Sequence, residues 1–287
     1  MTTAWRTTRF SIDLGKPRVM GIVNVTPDSF SDGGSYSSTA SALRHCEKLI
    51  ADGADILDIG GESTRPGSPA VPLDAELARV LPVVREAVKL QVPISIDTYK
   101  PETMQAVLDL GADIVNDIWA LRRPGALPVV AAHPSCGICL MHMHGDPQTM
   151  QAEPMTGEVV EAVGAFLKLH AQKLLALGVD PARIVVDPGI GFGKTVAQNF
   201  ALLGRQHELL AAGAPLLVGW SRKSSLGKIT GIDTAAERMA PSVAAAVLAV
   251  EGGASIVRVH DVRETVAALS VWSAMKREQQ RQEPQQP

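Results

Sequence analysis

Ala51-Asp-Gly-Ala-Asp-Ile-Leu-Asp-Ile-Gly-Gly-Glu62 carries, in order, the end of a helix, a strand and a polar turn. Gly53 is a helix-stop residue, 55–59 is an apolar run of strand length, and the run ends in a glycine pair followed by a carboxylate. The same passage from helix to strand recurs at Leu110-Gly-Ala-Asp113 and at Glu251-Gly-Gly-Ala-Ser255. Working outward from these, strand-length runs occupy 19–25, 55–59, 93–97, 113–117, 138–143, 183–187, 215–219 and 255–260. Their cores are apolar on successive positions rather than alternating, the pattern of a parallel sheet covered by helices. Segments of helical spacing follow them at 39–51, 74–90, 101–110, 125–133, 157–177, 197–211, 235–251 and 262–276, with Pro101 at a first turn and Asp74 as a cap. Eight such units are enough to close an α/β fold of the (β/α)8 TIM-barrel type, with residues 1–276 as a single domain. Residues 5–14 are too few for another unit and predict a short hairpin or strand capping the bottom. Residues 277–287 are rich in Gln, Glu and Pro, lack apolar periodicity and read as a disordered tail.

An open, doubly wound sheet shows the same alternation, so the distribution of polar residues has to decide. Nearly every run ends in a chemically capable side chain: Asn24, Glu62 with Arg65, Asp97, Asn116 with Asp117, His142 with His144, Asp187, Ser221 with Lys223, and Arg258 with His260. An open sheet feeds its site from a few strands at a switch point. In a barrel all eight C-terminal ends converge, and this pattern favours the barrel.

With 287 residues and 46% hydrophobic content, the chain can bury about three quarters of its unfolded surface in one core. A formal charge of −3 gives no general attraction to nucleic acid or anionic lipid. The first residues lack an apolar stretch of signal-peptide length and no run approaches a membrane span, so a cytoplasmic location is expected. Three cysteines, an odd number, fit a reducing compartment. Cys136 and Cys139 form a C-x-x-C, but a redox or zinc role needs a thioredoxin context or a second pair, and buried structural cysteines are the expectation.

Glycine-rich phrases follow several strand ends, none with Rossmann or P-loop spacing. Asp97, Asn116 and Asp187 offer acceptors at strand termini, and Lys223 adds a cation. Carboxylates at the mouth of an apolar barrel need donors, and a heterocycle with a guanidine-like edge supplies them. Arg258 and His260 alternate on the last strand and so point the same way, with Asn24 on the neighbouring first strand across the closure. Phosphate sites in barrels gather around the last strands, and this trio suits a diphosphate with Mg²⁺ held by Asn24 and the diphosphate itself.

These residues lie within phrases that resemble the bacterial dihydropteroate synthases of folate synthesis, over 17–271. They are Met20-Gly-Ile-Val-Asn-Val-Thr-Pro-Asp-Ser-Phe-Ser-Asp-Gly-Gly34, Asp58-Ile-Gly-Gly-Glu-Ser-Thr-Arg-Pro-Gly67, Ser95-Ile-Asp-Thr98, Asn116-Asp-Ile118 and Leu140-Met-His-Met143. Asp187-Pro-Gly-Ile-Gly-Phe-Gly-Lys194, Gly219-Trp-Ser-Arg-Lys-Ser224 and Arg258-Val-His-Asp261 complete the set, in the family's order. The resemblance implies a barrel, usually a homodimer, that joins p-aminobenzoate to 6-hydroxymethyl-7,8-dihydropterin diphosphate and releases diphosphate. It implies that Asp97, Asn116, Asp187 and Lys223 hold the pterin, with Arg258 stacked on it and Met141, Phe192 and Gly219 nearby. Asn24 would bind Mg²⁺, and Thr64, Arg258 and His260 would meet the diphosphate. Phe30, Arg65 and Pro66 would cover p-aminobenzoate, its carboxylate near Ser224.

A neutral arylamine needs no strong base, and no histidine shows an obvious Ser or Cys partner for covalent catalysis, so the demand falls on the leaving group and an SN1-like step is expected. His142-x-His144 lacks a third metal ligand in phase and reads as packing or pocket wall. For Asp117, Asp261 and Glu62, capping or ion pairing competes with catalysis, and Lys194 and Arg222 divide between ligand contact and loop support. Trp220 is larger than the residue expected beside Ser-Arg-Lys-Ser and puts the pocket's fine shape in question. Two alternatives use the same kind of barrel. One is a pterin-binding methyltransferase, which requires neither the Ser-Thr-Arg-Pro-Gly loop nor the Arg-x-His pair. The other is a silent pterin-binding paralogue, against which Asn24, Arg65, Lys223, Arg258 and His260 count.

Overall fold

A computed structural model describes residues 3–26, 35–63, 67–150 and 152–282, with only the backbone for 35–38 and 282. The expected hairpin is present: β1 (Ala4–Arg6) and β2 (Ser11–Asp13) pair antiparallel. Eight parallel strands then close a barrel: β3 (Arg18–Asn24), β4 (Ile56–Gly60), β5 (Ile94–Asp97), β6 (Ile114–Asp117), β7 (Gly137–Met141), β8 (Ile184–Asp187), β9 (Leu216–Val218) and β10 (Ala254–Val259). They pair in chain order, and β10 returns to β3 with Arg258 opposite Met20, which completes the closure.

Around the strands lie α1 (Ser35–Ala51), α2 (Leu73–Ala87), α3 (Pro101–Asp109), α4 (Ala126–Ala132), α5 (Val159–Ala176), α6 (Val196–Gly204), α7 (Ser224–Thr230), α8 (Met239–Glu251) and α9 (Val262–Gln282). The apolar outer faces of the strands and the inner faces of the helices make two large cores. No helix among the described residues is long and apolar enough to cross a membrane.

Four local expectations need correction. α7 has no counterpart among the expected helices; seven residues with a glycine in their midst carry too little periodicity to be recognised. The helix expected through 211 leaves α-geometry at Gly204 and continues as a 3-10 turn over Gln206–Ala212. Asp74 sits in the first turn of α2, whose N-cap is Pro72, and so acts through the helix dipole instead of capping. The tail beyond Arg277 is helical to Gln282, because its Arg, Glu and Gln residues are good helix formers and Glu278 pairs with Arg281. Residues 283–287 lie outside the described part of the chain.

The hairpin plugs the N-terminal end of the barrel. Trp5 is wholly buried with Ile12 against Met20, Ile56, Ile114, Cys139, Val185, Leu217 and Ile256, and its Nε1 donates to the Arg183 carbonyl at 2.9 Å. Arg9 closes the edge of the plug on the buried carboxylate of Asp113, which also accepts from the Ile94 backbone amide at 2.9 Å. Cys46, Cys136 and Cys139 are free and buried, which for Cys136 and Cys139 is what the sequence implied.

Candidate active site

Side chains two positions apart on a strand share a face, so the plugged end predicts what lies above it. Moving up by two from the apolar layer of Met20, Ile56, Ile114, Cys139, Val185, Leu217 and Ile256 gives Ile22, Asp58, Asn116, Met141, Asp187, Gly219 and Arg258. A further step gives Asn24, Ile118, Ser221 and His260, while β5 contributes Ser95 and then Asp97. The barrel axis therefore runs from dry at the bottom to polar at the top. A cavity of about 480 Å³ opens there, within the range of small-molecule sites.

Arg258 organises the floor of this cavity. Its Nε donates to Asp58 Oδ2 at 2.6 Å and a terminal nitrogen donates to Asp97 Oδ2 at 2.8 Å, bridging the last strand to the second and third barrel strands. Asp58 is fully buried and also accepts from Ser95 Oγ at 2.6 Å and Asn116 Nδ2 at 3.2 Å, so its two oxygens meet three donor groups. Burial pushes the Asp97 carboxyl up to about 7, helped by nearby Asp58 and opposed by Arg258. Burial alone would lower Arg258, but Asp58 and Asp97 outweigh it and hold the guanidinium firmly as a cation. Asp187 rises to about 6 for the same reason of burial, restrained by the Gly189 amide, which donates to its Oδ1 at 2.7 Å, and by Lys223.

The upper wall is built by the segment after β8. Gly189 and Gly193 have left-handed backbone (φ 66° and 67°), and a Cβ on them would lie 1.9 Å and 2.3 Å from the His142 and His144 carbonyl oxygens. That close approach seats Phe192 in an apolar group with Ile118, Met141, Met143 and Met150. Lys223 lies over the Phe192 ring, its Nζ 4.2 Å from the centroid, and Ser224 borders the cavity at the start of α7. Arg222 before them has φ 59°; its amide donates to Ser242 Oγ at 2.8 Å and its guanidinium pairs with Asp261 at 2.6 Å.

Ser221 Oγ lies 2.9 Å from His260 Nδ1 and accepts from the His260 amide at 3.1 Å. Nothing in the sequence pointed to this contact; neighbouring parallel strands β9 and β10 bring the two together just beyond their ends. Either Ser221 Oγ or His260 Nδ1 can be the donor of that contact, according to the tautomer of the ring. The contact fixes the orientation of the imidazole at the cavity, which both residues line.

Of the expected site residues, Asn24, Asp97, Asn116, Met141, Asp187, Phe192, Gly219, Lys223, Ser224, Arg258 and His260 all line this one cavity. Phe30, Thr64, Arg65 and Pro66 fall outside the described residues. Glu62 borders the cavity but is held by Lys100 and by Tyr99, whose hydroxyl donates at 2.8 Å. Asp117 accepts from the Trp119 and Leu121 amides at 2.8 Å each and caps a turn with positive φ at Ala120 and Leu121. Lys194 donates to backbone carbonyls, which settles it as loop support. His142 is buried edge-on against Phe166, while His144 is exposed. Burial drops the His142 ring to about 2, so it stays neutral, and no group of three or more metal-ligating side chains occurs among the described residues. Trp220 turns away from the cavity and packs against Phe200, ring centres 5.2 Å apart. The residue that sequence reasoning missed is Asp58. Its position, two from the inward Ile56, was the available signal, but an unbroken apolar run hides which parity faces in.

Residues 20–260 match the family described as pterin binding enzyme. The chain is 52% identical over 276 residues to a dihydropteroate synthase of Neisseria meningitidis, covering 94% of this chain and 97% of that one. It is 46% identical over 265 residues to the Escherichia coli dihydropteroate synthase, covering 92% and 93%. Its fold overlays on the crystal structure of Burkholderia cenocepacia dihydropteroate synthase complexed with 7,8-dihydropteroate, with TM-score 0.89, 49% identity and coverage of 98% and 99%. A Xanthomonas albilineans dihydropteroate synthase with 4-aminobenzoic acid overlays with TM-score 0.89 at 46% identity, covering 96% and 99%. The chain belongs to the pterin binding enzymes and, within them, to the dihydropteroate synthases.

Proposed function

We propose that this cavity condenses 6-hydroxymethyl-7,8-dihydropterin diphosphate with p-aminobenzoate, giving 7,8-dihydropteroate and diphosphate. The observation that carries the reading is the convergence of Asp97, Asn116, Asp187 and Lys223 on one cavity, together with Arg258 and His260. Two carboxylates and an amide accept from, and donate to, the amino-pyrimidinone edge of the pterin. Met141 and Phe192 pack its ring, and Arg258 lies against its face while tied to Asp58 and Asp97.

His260, oriented by Ser221, and Arg258 receive the diphosphate. Phe30, Thr64, Arg65 and Pro66 keep the roles the resemblance implies, covering p-aminobenzoate and meeting the diphosphate, with Ser224 near the carboxylate of p-aminobenzoate. For a divalent cation, the fit rests on donor chemistry. Asn24 brings one neutral oxygen to the rim, too little to hold Mg²⁺ alone, but enough for an ion whose other ligands are diphosphate oxygens and water. Bound there, Mg²⁺ would supply charge neutralisation for the leaving group.

The reaction's difficulty is separation of charge. Arg258 and His260 stabilise the departing diphosphate, and Asp97 and Asp187 favour positive charge on the pterin methylene, so bond breaking runs ahead of attack by the arylamine. The amine's proton passes to solvent or diphosphate, and no side-chain nucleophile is used. Diphosphate release that depends on p-aminobenzoate tests the reading, with dihydropteroate measured in equal amount. Diphosphate release indifferent to p-aminobenzoate would overturn it.

A homodimer is part of the same reading. α8 and α9 pack side by side and expose Leu248 (58%) and, one helical turn apart on α9, Val271 (72%) and Met275, none of which lines the cavity.

A further inference from the structure

Lys194 is 2% exposed, and among the described residues no carboxylate comes within salt-bridge distance of it. Its Nζ donates instead to three backbone carbonyls, those of Gly189 at 2.8 Å, Phe192 at 3.1 Å and His142 at 3.4 Å. As an ammonium it has three protons, one for each carbonyl; burial draws its pKa down to about 7, opposed by nearby Asp187. A buried cation is costly, and the same space filled by an apolar side chain would avoid the cost, but it would leave inward-turned carbonyls without donors.

Those carbonyls are not scattered. Gly189 and Phe192 belong to the segment after β8 that forms one wall of the cavity, and His142 directly follows Met141 at the end of β7, on the adjoining wall. The segment is also tied by the Gly191 amide, which donates to Asn199 Oδ1 at 2.8 Å, by the Gly189 amide, which donates to Asp187, and by the Met155 amide, which donates to the Gly193 carbonyl at 2.9 Å. Lys194 thus joins the two walls from behind, at the place where Met141 and Phe192 face the same apolar group. Its charge also lies near Asp187 and favours the ionised carboxylate there.

We propose that Lys194 is a positioning residue for the pterin: its ammonium clasps the exits of β7 and β8 together, so that the slot between Met141 and Phe192 is formed before the ring enters. The inference rests on the function proposed above and deepens it. The clasp acts on the pterin side alone, because none of its three acceptors belongs to the residues assigned to p-aminobenzoate.

The test uses Lys194→Met, which keeps the stem without donors, and Lys194→Ala, which leaves room for an added amine. Both should weaken binding of the pterin diphosphate substrate, raising its Michaelis constant, and its Kd by calorimetry, by ~10-fold or more, equivalent to ~1.4 kcal/mol. The Michaelis constant for p-aminobenzoate should not change. Propylammonium should restore pterin binding to Lys194→Ala and do nothing for Lys194→Met. Unchanged pterin affinity in either variant would overturn the clasp. So would a joint fall of melting temperature and of both substrate affinities without amine rescue, or loss of folding in both variants, since Lys194 would then support the fold at large. Wild-type protein that binds the pterin diphosphate but releases no diphosphate with p-aminobenzoate would defeat the proposed function instead, and the ratio of calorimetric Kd values would still judge the clasp.

Discussion

Arg258 is shared by two carboxylates from different strands, which makes it a structural cation as well as a ligand contact. Replacing it by Met leaves the fully buried Asp58 uncompensated and is expected to lower stability by about 3–5 kcal/mol, measurable by urea unfolding. Asp97→Asn keeps the shape of the acceptor but removes its charge. The turnover rate should fall by about 10²–10³-fold, as when one preorganised electrostatic group is lost, and an unchanged rate would remove Asp97 from the chemistry. Both Asp97, at about 7, and Asp187, at about 6, are raised by burial, so they take up protons as pH falls through that window. A protonated carboxyl is a poorer acceptor for the pterin edge. The affinity for 6-hydroxymethyl-7,8-dihydropterin, a ligand without diphosphate groups that titrate themselves, should therefore drop from about pH 8 to about pH 5 in a calorimetric series. At this scale the sequence was informative wherever a polar residue ended an apolar run, as at Asp97, Asp187 and Arg258. It was silent on Asp58 and on the Ser221–His260 contact, because inward parity and the adjacency of two strand ends exist only once the barrel has closed.

Among elements, the hairpin and the segment after β8 do opposite jobs. β1 and β2 close the apolar end, and Trp5→Ala is expected to cost about 3–5 kcal/mol of stability while leaving turnover near wild type, since the plug lies at the far end of the barrel from the cavity. Gly189→Ala adds a methyl 1.9 Å from the His142 carbonyl in a left-handed position. It should displace Phe192 and weaken pterin binding more than p-aminobenzoate binding, a split visible in the Michaelis constants for the two substrates. All eight barrel strands and most helices could be read from runs and helix-stop glycines. What escaped was short or governed by packing: α7 with its seven residues, the 3-10 turn after Gly204, and the helical extension of α9 past Arg277. The extension has a tertiary anchor just before it, where Lys276 and Trp272 both reach Glu251 on α8.

For the whole molecule, stability and chemistry occupy opposite ends of one axis, and the exposed apolar residues of α8 and α9 are separate from both. If those residues join two copies, Leu248→Glu with Val271→Glu should convert a dimer to a monomer in light scattering after gel filtration, while each cavity keeps its turnover. The ion pairs inside the barrel also impose an order on biosynthesis. Asp58 and Asp97 leave the ribosome 200 and 161 residues before Arg258, the cation that neutralises them. Until the last strand is made, a nascent chain has acidic groups with no counterion along its future axis. Stop codons ahead of residue 258 should thus yield chains that cannot complete the ring and are cleared by proteolysis, rather than weakened enzymes.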